Sequence, residues 1–141
     1  MHDLLIIGGG YGGLWAAMSA ARQLNTLHAH ARVAIVSREP FLTARPRLYE
    51  QGLAATDARI DRRPVLQTLA VEYIEGDVSE VIAAQPGVRL ADGTQLSCRA
   101  LILATGSQAR RAPLPGMAEF AADADTAAAA TLQTLKVRAT P

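Results

Sequence analysis

Cysteine is nearly missing from this 141-residue chain: Cys98 stands alone, which excludes a disulfide framework, a Cys-x-x-Cys redox pair and a cysteine-built zinc site within it. Its place in an apolar, strand-like run makes it a small buried hydrophobe. An excess of charge of either sign is lacking too. The formal net charge of +1 leaves no electrostatic footprint for nucleic acid or an anionic membrane. Long apolar runs are also lacking, and none approaches the roughly 18 residues of a membrane span. The first run, residues 4–7, follows Asp3 and breaks at glycine, which does not fit a secretory signal. These absences point to a cytoplasmic protein, with peripheral membrane contact left to a longer form. Half the residues are hydrophobic, which is globular rather than disordered composition, and the length suits one domain or part of one.

What is present concentrates at the beginning. Leu4, Leu5, Ile6 and Ile7 read as a strand buried on both faces, and glycines follow at once. Gly8, Gly10 and Gly13 fit G-x-G-x-x-G between a strand and a helix, the context the dinucleotide fingerprint requires. Gly8 allows the tight turn, Gly10 lets backbone approach a pyrophosphate, and Gly13 permits close packing of helix on strand. The free amides and positive dipole end of the helix then face phosphate. From Gly12 to about Leu27, Leu14, Ala17, Met18, Ala21 and Leu24 recur at helical spacing and form the face laid on the sheet, with Trp15 and Arg22 off it. His28 and His30 follow in a polar turn with no third ligand beside them and read as solvated.

Residues 32–37 make the second strand of a β-α-β unit. The fingerprint places an acidic ribose ligand near its end, but here Ser37 stands there, followed by Arg38 and Glu39. Ser37 can hydrogen-bond a ribose hydroxyl without supplying a charged acceptor. Arg38 reads equally as a cation over the adenosine or as a solvated loop charge. Residues 40–52 read as a loop opening into a short helix at Pro46, with Arg45 and Arg47 as further cations. Asp61 caps a short helix whose apolar side is Val65, Leu66 and Leu69. Residues 71–78 alternate as a partly exposed strand. Three short strands follow, at 78–83, 88–90 and 96–100, separated by Q-P-G and A-D-G-T turns, and they form an antiparallel meander. Residues 100–107 (A-L-I-L-A-T-G-S) read as one more buried strand ending in a small-residue turn.

The combination of G-x-G-x-x-G, a G-D-V turn, a meander and a terminal A-T-G-S resembles the FAD-binding half of the pyridine-nucleotide-dependent flavoprotein oxidoreductases. The P-R-L-Y-E stretch at 46–50 resembles the type II NADH dehydrogenase-like branch. The resemblance implies an α/β fold: a Rossmann-like parallel sheet with helices on one side and a three-stranded antiparallel β-meander on the other. It implies that Gly8, Gly10, Tyr11, Gly12 and Gly13 hold the FAD pyrophosphate and that Ser37 with Arg38 meets the adenosine ribose. Val78 would face the adenine, and Ala104, Thr105 and Gly106 would approach the cofactor. No Cys pair lies on the first helix, which argues against a disulfide reductase, and neither a catalytic side chain nor a metal ligand is implied. Residues 1–120 would be the N-terminal part of the FAD domain, and 121–141 a helical connection toward an NAD(P)H domain lying outside this sequence.

In the complete enzyme, hydride would pass from NAD(P)H to the flavin and on to an acceptor such as a quinone. The chain itself would be incomplete and inactive alone, its sheet left with an open edge that invites self-association. Two alternatives stand beside this: a non-catalytic nucleotide-binding module or truncated remnant, and a plain NAD-binding Rossmann domain, which has no place for the meander.

Overall fold

Four apolar residues in succession leave a strand no polar face for water, so both of its sides must be covered. The computed structural model describes residues 1–44, 59–83, 85–107 and 115. The chain divides into two compact units, Met1–Leu42 with Asp61–Ser107, and Thr43–Ile60 with Gln108–Pro141. Of the second unit, only Thr43, Ala44, Arg59, Ile60 and Pro115 fall among the described residues. The described elements run β1 (His2–Ile7), α1 (Tyr11–Thr26), β2 (Val33–Ser37), β3 (Phe41–Thr43), β4 (Arg59–Asp61), α2 (Arg63–Thr68), β5 (Glu72–Glu75), β6 (Val78–Ile82), β7 (Gly87–Leu90) and β8 (Gln95–Leu103).

A six-stranded sheet in the order β5-β2-β1-β8-β7-β6 forms the frame of the first unit. Its first four strands are parallel, with Ile6 opposite both Ile35 and Ile102, and β8-β7-β6 is antiparallel. Alternation then sorts the apolar side chains onto two faces. Leu5, Ile7, Ala34 and Val36 join Val88, Leu90 and Cys98 of the meander. Ile6, Val33 and Ile35 join Ala17 of α1, Leu66 of α2 and Val71. Helices on one side and meander on the other is the layering the resemblance implies, and Cys98 is buried as expected.

Four details differ from expectation. Residues 96–100 and 100–103 form one nine-residue strand whose first half pairs with β7 and whose second half pairs with β1. Met18 and Val65 point outward. At about 100° per residue, Met18 falls well off the line through Gly13, Ala17, Ala20 and Leu24, and Ala16 and Ala20 pack in its stead. The stretch 71–78 breaks at Gly76 and Asp77 into β5 and the start of β6, and Phe41–Thr43 with Arg59–Asp61 adds a two-stranded ladder where a loop was expected.

Asp3 ties the sheet together at the end where β1 begins. Its carboxylate accepts the Arg32 backbone N–H at 2.9 Å and the Arg99 guanidinium at 3.1 Å. The Arg32 amide first, and Arg99 second, hold its pKa below the ordinary aspartate value of 3.8. Its stabilising effect is therefore complete above that value and fades as pH falls through the lower, folded one. Urea unfolding should show Asp3→Asn less stable than wild type at neutral pH, with the difference narrowing as pH falls below the ordinary aspartate value. Leu5→Ala, at a fully buried site on the meander face, should cost about 2–5 kcal/mol in the same measurement.

Candidate functional site

Parallel strands deliver their carboxyl ends to one edge, where an α/β sheet keeps its ligand crevice. Here the Gly8 amide donates to the Val36 carbonyl and the Ala104 amide donates to the Ile7 carbonyl, both at 2.8 Å. The turns that follow β1 and β8 therefore lie side by side, next to the end of β2. Gly8 has φ +107°. A Cβ there would run into the Ala104 carbonyl, and a Cβ on Gly13 would run into the Gly8 carbonyl. Gly10 is different. It is exposed, and an added Cβ would meet nothing within 4 Å, so no contact inside the chain requires a glycine there.

Gly10 is also the N-cap of α1, with no side chain capping the helix and no acid in its first turn. The amides of Tyr11, Gly12 and Gly13 precede the first intrahelical acceptor pair, formed when Leu14 donates to the Gly10 carbonyl. A bare helix start beside a side-chain-free surface is an arrangement that fits a diphosphate.

The structure adds a residue that sequence reasoning passed over. Arg62 is 2% exposed, and its guanidinium donates to the carbonyls of Gly9, Glu39 and Phe41 and to the Ser37 Oγ. The Phe41 and Ser37 bonds are each 2.8 Å. Tyr73 lies beneath the guanidinium at 5.8 Å from its ring centroid, and burial pushes the Tyr73 phenol pKa up. In the sequence Arg62 sits among Asp61, Arg63 and Pro64 and reads as surface charge. The available signal was spacing: Leu66 and Leu69, four and seven residues on, place it on the buried side of α2. Arg62, not Asp61 as expected, is the N-cap of α2, which has no side-chain cap; Asp61, one residue earlier, accepts the Arg63 amide at 2.9 Å, and the Arg63 side chain holds the Asp61 pKa below its ordinary value.

Of the residues singled out from sequence, Gly8, Gly10, Tyr11, Gly12, Gly13, Ala104, Thr105 and Gly106 gather at the paired turns. Tyr11, Thr105 and Gly106 are exposed, and Gly106 has φ +78°. Ser37 lies at the end of β2, where its carbonyl accepts from the Gly76 amide at 3.0 Å, and Arg38 beside it is exposed. Val78 follows two residues after Gly76, pairs with Leu90 and packs against the meander core. Arg45, Arg47, residues 46–50 and the helix expected within 121–135 lie outside the described residues.

A groove of about 810 Å³ lies at the other end of the sheet. It runs along the second half of α1, past His28, His30 and Val33 to the corner at Thr68 and Val71. It shares no residue with the paired turns.

Residues 2–139 match the family described as pyridine nucleotide-disulphide oxidoreductase. Over 129 residues the chain is 39% identical to an NADH dehydrogenase-like protein of Mycobacterium tuberculosis, covering 89% of this chain and 32% of that protein. The chain thus spans about a third of that relative's length. Its backbone is similar to that of the sulfide:quinone oxidoreductase of Aquifex aeolicus, with TM-score 0.74 and 20% identity over 100% of this chain and 33% of the other. A ferredoxin reductase of Rhodopseudomonas palustris gives 0.70 and 22%, over 97% of this chain and 35% of the other.

The three fingerprint glycines should separate experimentally. Gly8→Ala and Gly13→Ala collide with backbone and should lower the unfolding midpoint sharply. Gly10→Ala should cost at most about 1 kcal/mol of stability while weakening nucleotide binding by about tenfold or more, because its Cβ enters the open space. Thermal melting and titration with ADP measure the two effects.

Proposed function

This chain belongs to the pyridine nucleotide-disulphide oxidoreductase family, and on that premise we propose that it is the FAD-binding part of an NADH dehydrogenase-like flavoprotein oxidoreductase. Members of the family are FAD-dependent and use NAD(P)H. The observation that carries the proposal is the glycine turn at 8–10, opening into an uncapped helix and lying against the 104–106 turn at the carboxyl ends of β1 and β8.

In this reading the amides of Tyr11, Gly12 and Gly13 donate to the pyrophosphate, and the dipole of α1 adds to their attraction. The vacant side of Gly10 admits the phosphates to the backbone. Ser37 and Arg38 meet the adenosine ribose, Val78 lines the adenine end, and Ala104, Thr105 and Gly106 form the wall along which the cofactor extends. FAD, when bound, supplies the hydride and electron transfer, so the residues of this chain bind and orient rather than act as acid, base or nucleophile.

Residues 1–120 are proposed as the N-terminal part of the FAD domain and 121–141 as the connection toward an NAD(P)H-binding domain. A quinone or similar acceptor and a cytoplasmic location, with peripheral membrane contact, belong to the longer protein in this proposal. Among the described residues, no helix is long and apolar enough to cross a membrane. Self-association is proposed along β8, whose ladder with β7 ends at Ser97 while Ile102 and Leu103 beyond it are exposed.

Purified chain incubated with FAD should acquire a flavin absorbance that survives gel filtration and should oxidise no NADH by itself. Chain that stays colourless overturns the proposal, and steady NADH oxidation by the chain alone overturns its incompleteness.

A further inference from the structure

The fingerprint sets a carboxylate at the end of the second strand to accept hydrogen bonds from the ribose. This chain has Ser37 there, with a guanidinium nitrogen of Arg62 2.8 Å from its Oγ. The other three oxygens that Arg62 serves are main-chain carbonyls of Gly9, Glu39 and Phe41, so among the described residues its hydrogen-bond partners are neutral. Its Nε, also buried, has no partner. The backbone holds it in place as well, because the Arg62 amide donates to the Pro40 carbonyl at 3.1 Å. A carboxylate at position 37 would fall within ion-pair reach of this guanidinium and be taken up by it. The absent acid and the buried arginine therefore form one arrangement. Glu39, the nearest acid in the sequence, gives Arg62 its carbonyl, and its residue is exposed.

We propose that Ser37 and Arg62 act as a unit that reads the adenosine ribose by donating a hydrogen bond to it, with Arg62 as the positioning residue. Resting on the nucleotide-site assignment above, this goes further in naming what the adenosine end selects. An Oγ that accepts from Arg62 keeps its own proton to give, and Ser37 stands half-buried at the end of β2. A donor serves a hydroxyl oxygen and a phosphate oxygen alike, whereas a carboxylate repels phosphate. With one cation beneath Ser37 and Arg38 exposed beside it, the site tolerates adenine nucleotides that carry a phosphate on the adenosine ribose. Arg62 also bonds Gly9 inside the fingerprint turn, so it couples the ribose end to the pyrophosphate turn.

Calorimetric titration with ADP and with adenosine 2′,5′-bisphosphate tests this. Wild type should bind the two within about threefold of each other, because a donor does not discriminate between them. Ser37→Ala and Arg62→Lys should each weaken both ligands by about fivefold, the worth of one hydrogen bond. The double variant should bind no more weakly than the poorer single one, since the two residues act together. A wild-type preference for ADP above about tenfold, the mark of a repelled phosphate, overturns the proposal. So do additive losses, or an Arg62→Lys protein that melts lower but binds ADP unchanged. If Arg62→Lys does not fold, Ser37→Ala, which deletes only a hydroxyl, still decides, because equal affinity for it and wild type overturns the proposal. Wild type that binds neither ADP nor FAD strikes at the nucleotide assignment instead.

Discussion

Main chain touches main chain where β1 passes into α1, and much of the first unit follows from that contact. Gly8 lies against the Ala104 carbonyl, and Gly13 lies against the Gly8 carbonyl. The approach seats the first turn of α1 on the end of β1 and draws the turn after β8 to the same point. Having come that close, α1 can present only a narrow line to the sheet, and Gly13, Ala17 and Ala20 lie along it with Leu24. Larger side chains such as Trp15 and Met18 stand outside it. One steric requirement thus sets the helix position, the composition of its inner face and the aim of its dipole.

A buried cation performs the second task of fixing the loops. Taking a guanidinium out of water is costly unless its protons find acceptors. Arg62 meets that condition with three carbonyls and a hydroxyl from two stretches of chain, and the face of Tyr73 adds to it. The exchange works in both directions. Carbonyls in irregular backbone need partners as much as the cation needs acceptors, and the turn after Ile7 and the stretch after β2 have no ladder to supply them. One side chain satisfies both and holds the end of β2 in register with the glycine turn.

Most of this frame was legible because it rests on period and punctuation. Residues 4–7 and 33–36 are apolar without interruption, glycines end the first run, and Asp92 with Gly93 marks the hairpin, where Thr94 donates to the Asp92 carboxylate at 2.9 Å and Gly93 has φ +89°. The fused β8 was harder to read, because a strand that changes partner midway, from β7 to β1, looks in sequence like two strands with different burial patterns. Arg62 was harder still, its spacing from Leu66 and Leu69 being only a hint. Its residue type forecasts exposure, and only the three-dimensional meeting of residues 9, 37, 39 and 41 makes it a core residue. The Ser37 departure was visible, but the partner of its Oγ lay 25 positions away.

The two ends of the parallel sheet are built on opposite electrostatic plans, a contrast that the near-zero total charge conceals. Where β1 begins, charges are matched inside the chain: His2 lies 3.1 Å and Arg32 3.7 Å from the Glu72 carboxylate, and Asp3 takes Arg99 and the Arg32 amide. Where β1 ends, the described residues gather donors: the uncapped amides of α1, the Ser37 hydroxyl, and Arg62, whose guanidinium is taken up by four oxygens of the chain itself. Hydrogen-bonding groups near a folded chain's interior are rarely left without partners. The free amides at the start of α1, beside the open side of Gly10, are therefore suited to an anionic ligand. A diphosphate suits those amides in charge, whereas an apolar or cationic ligand would leave them unanswered.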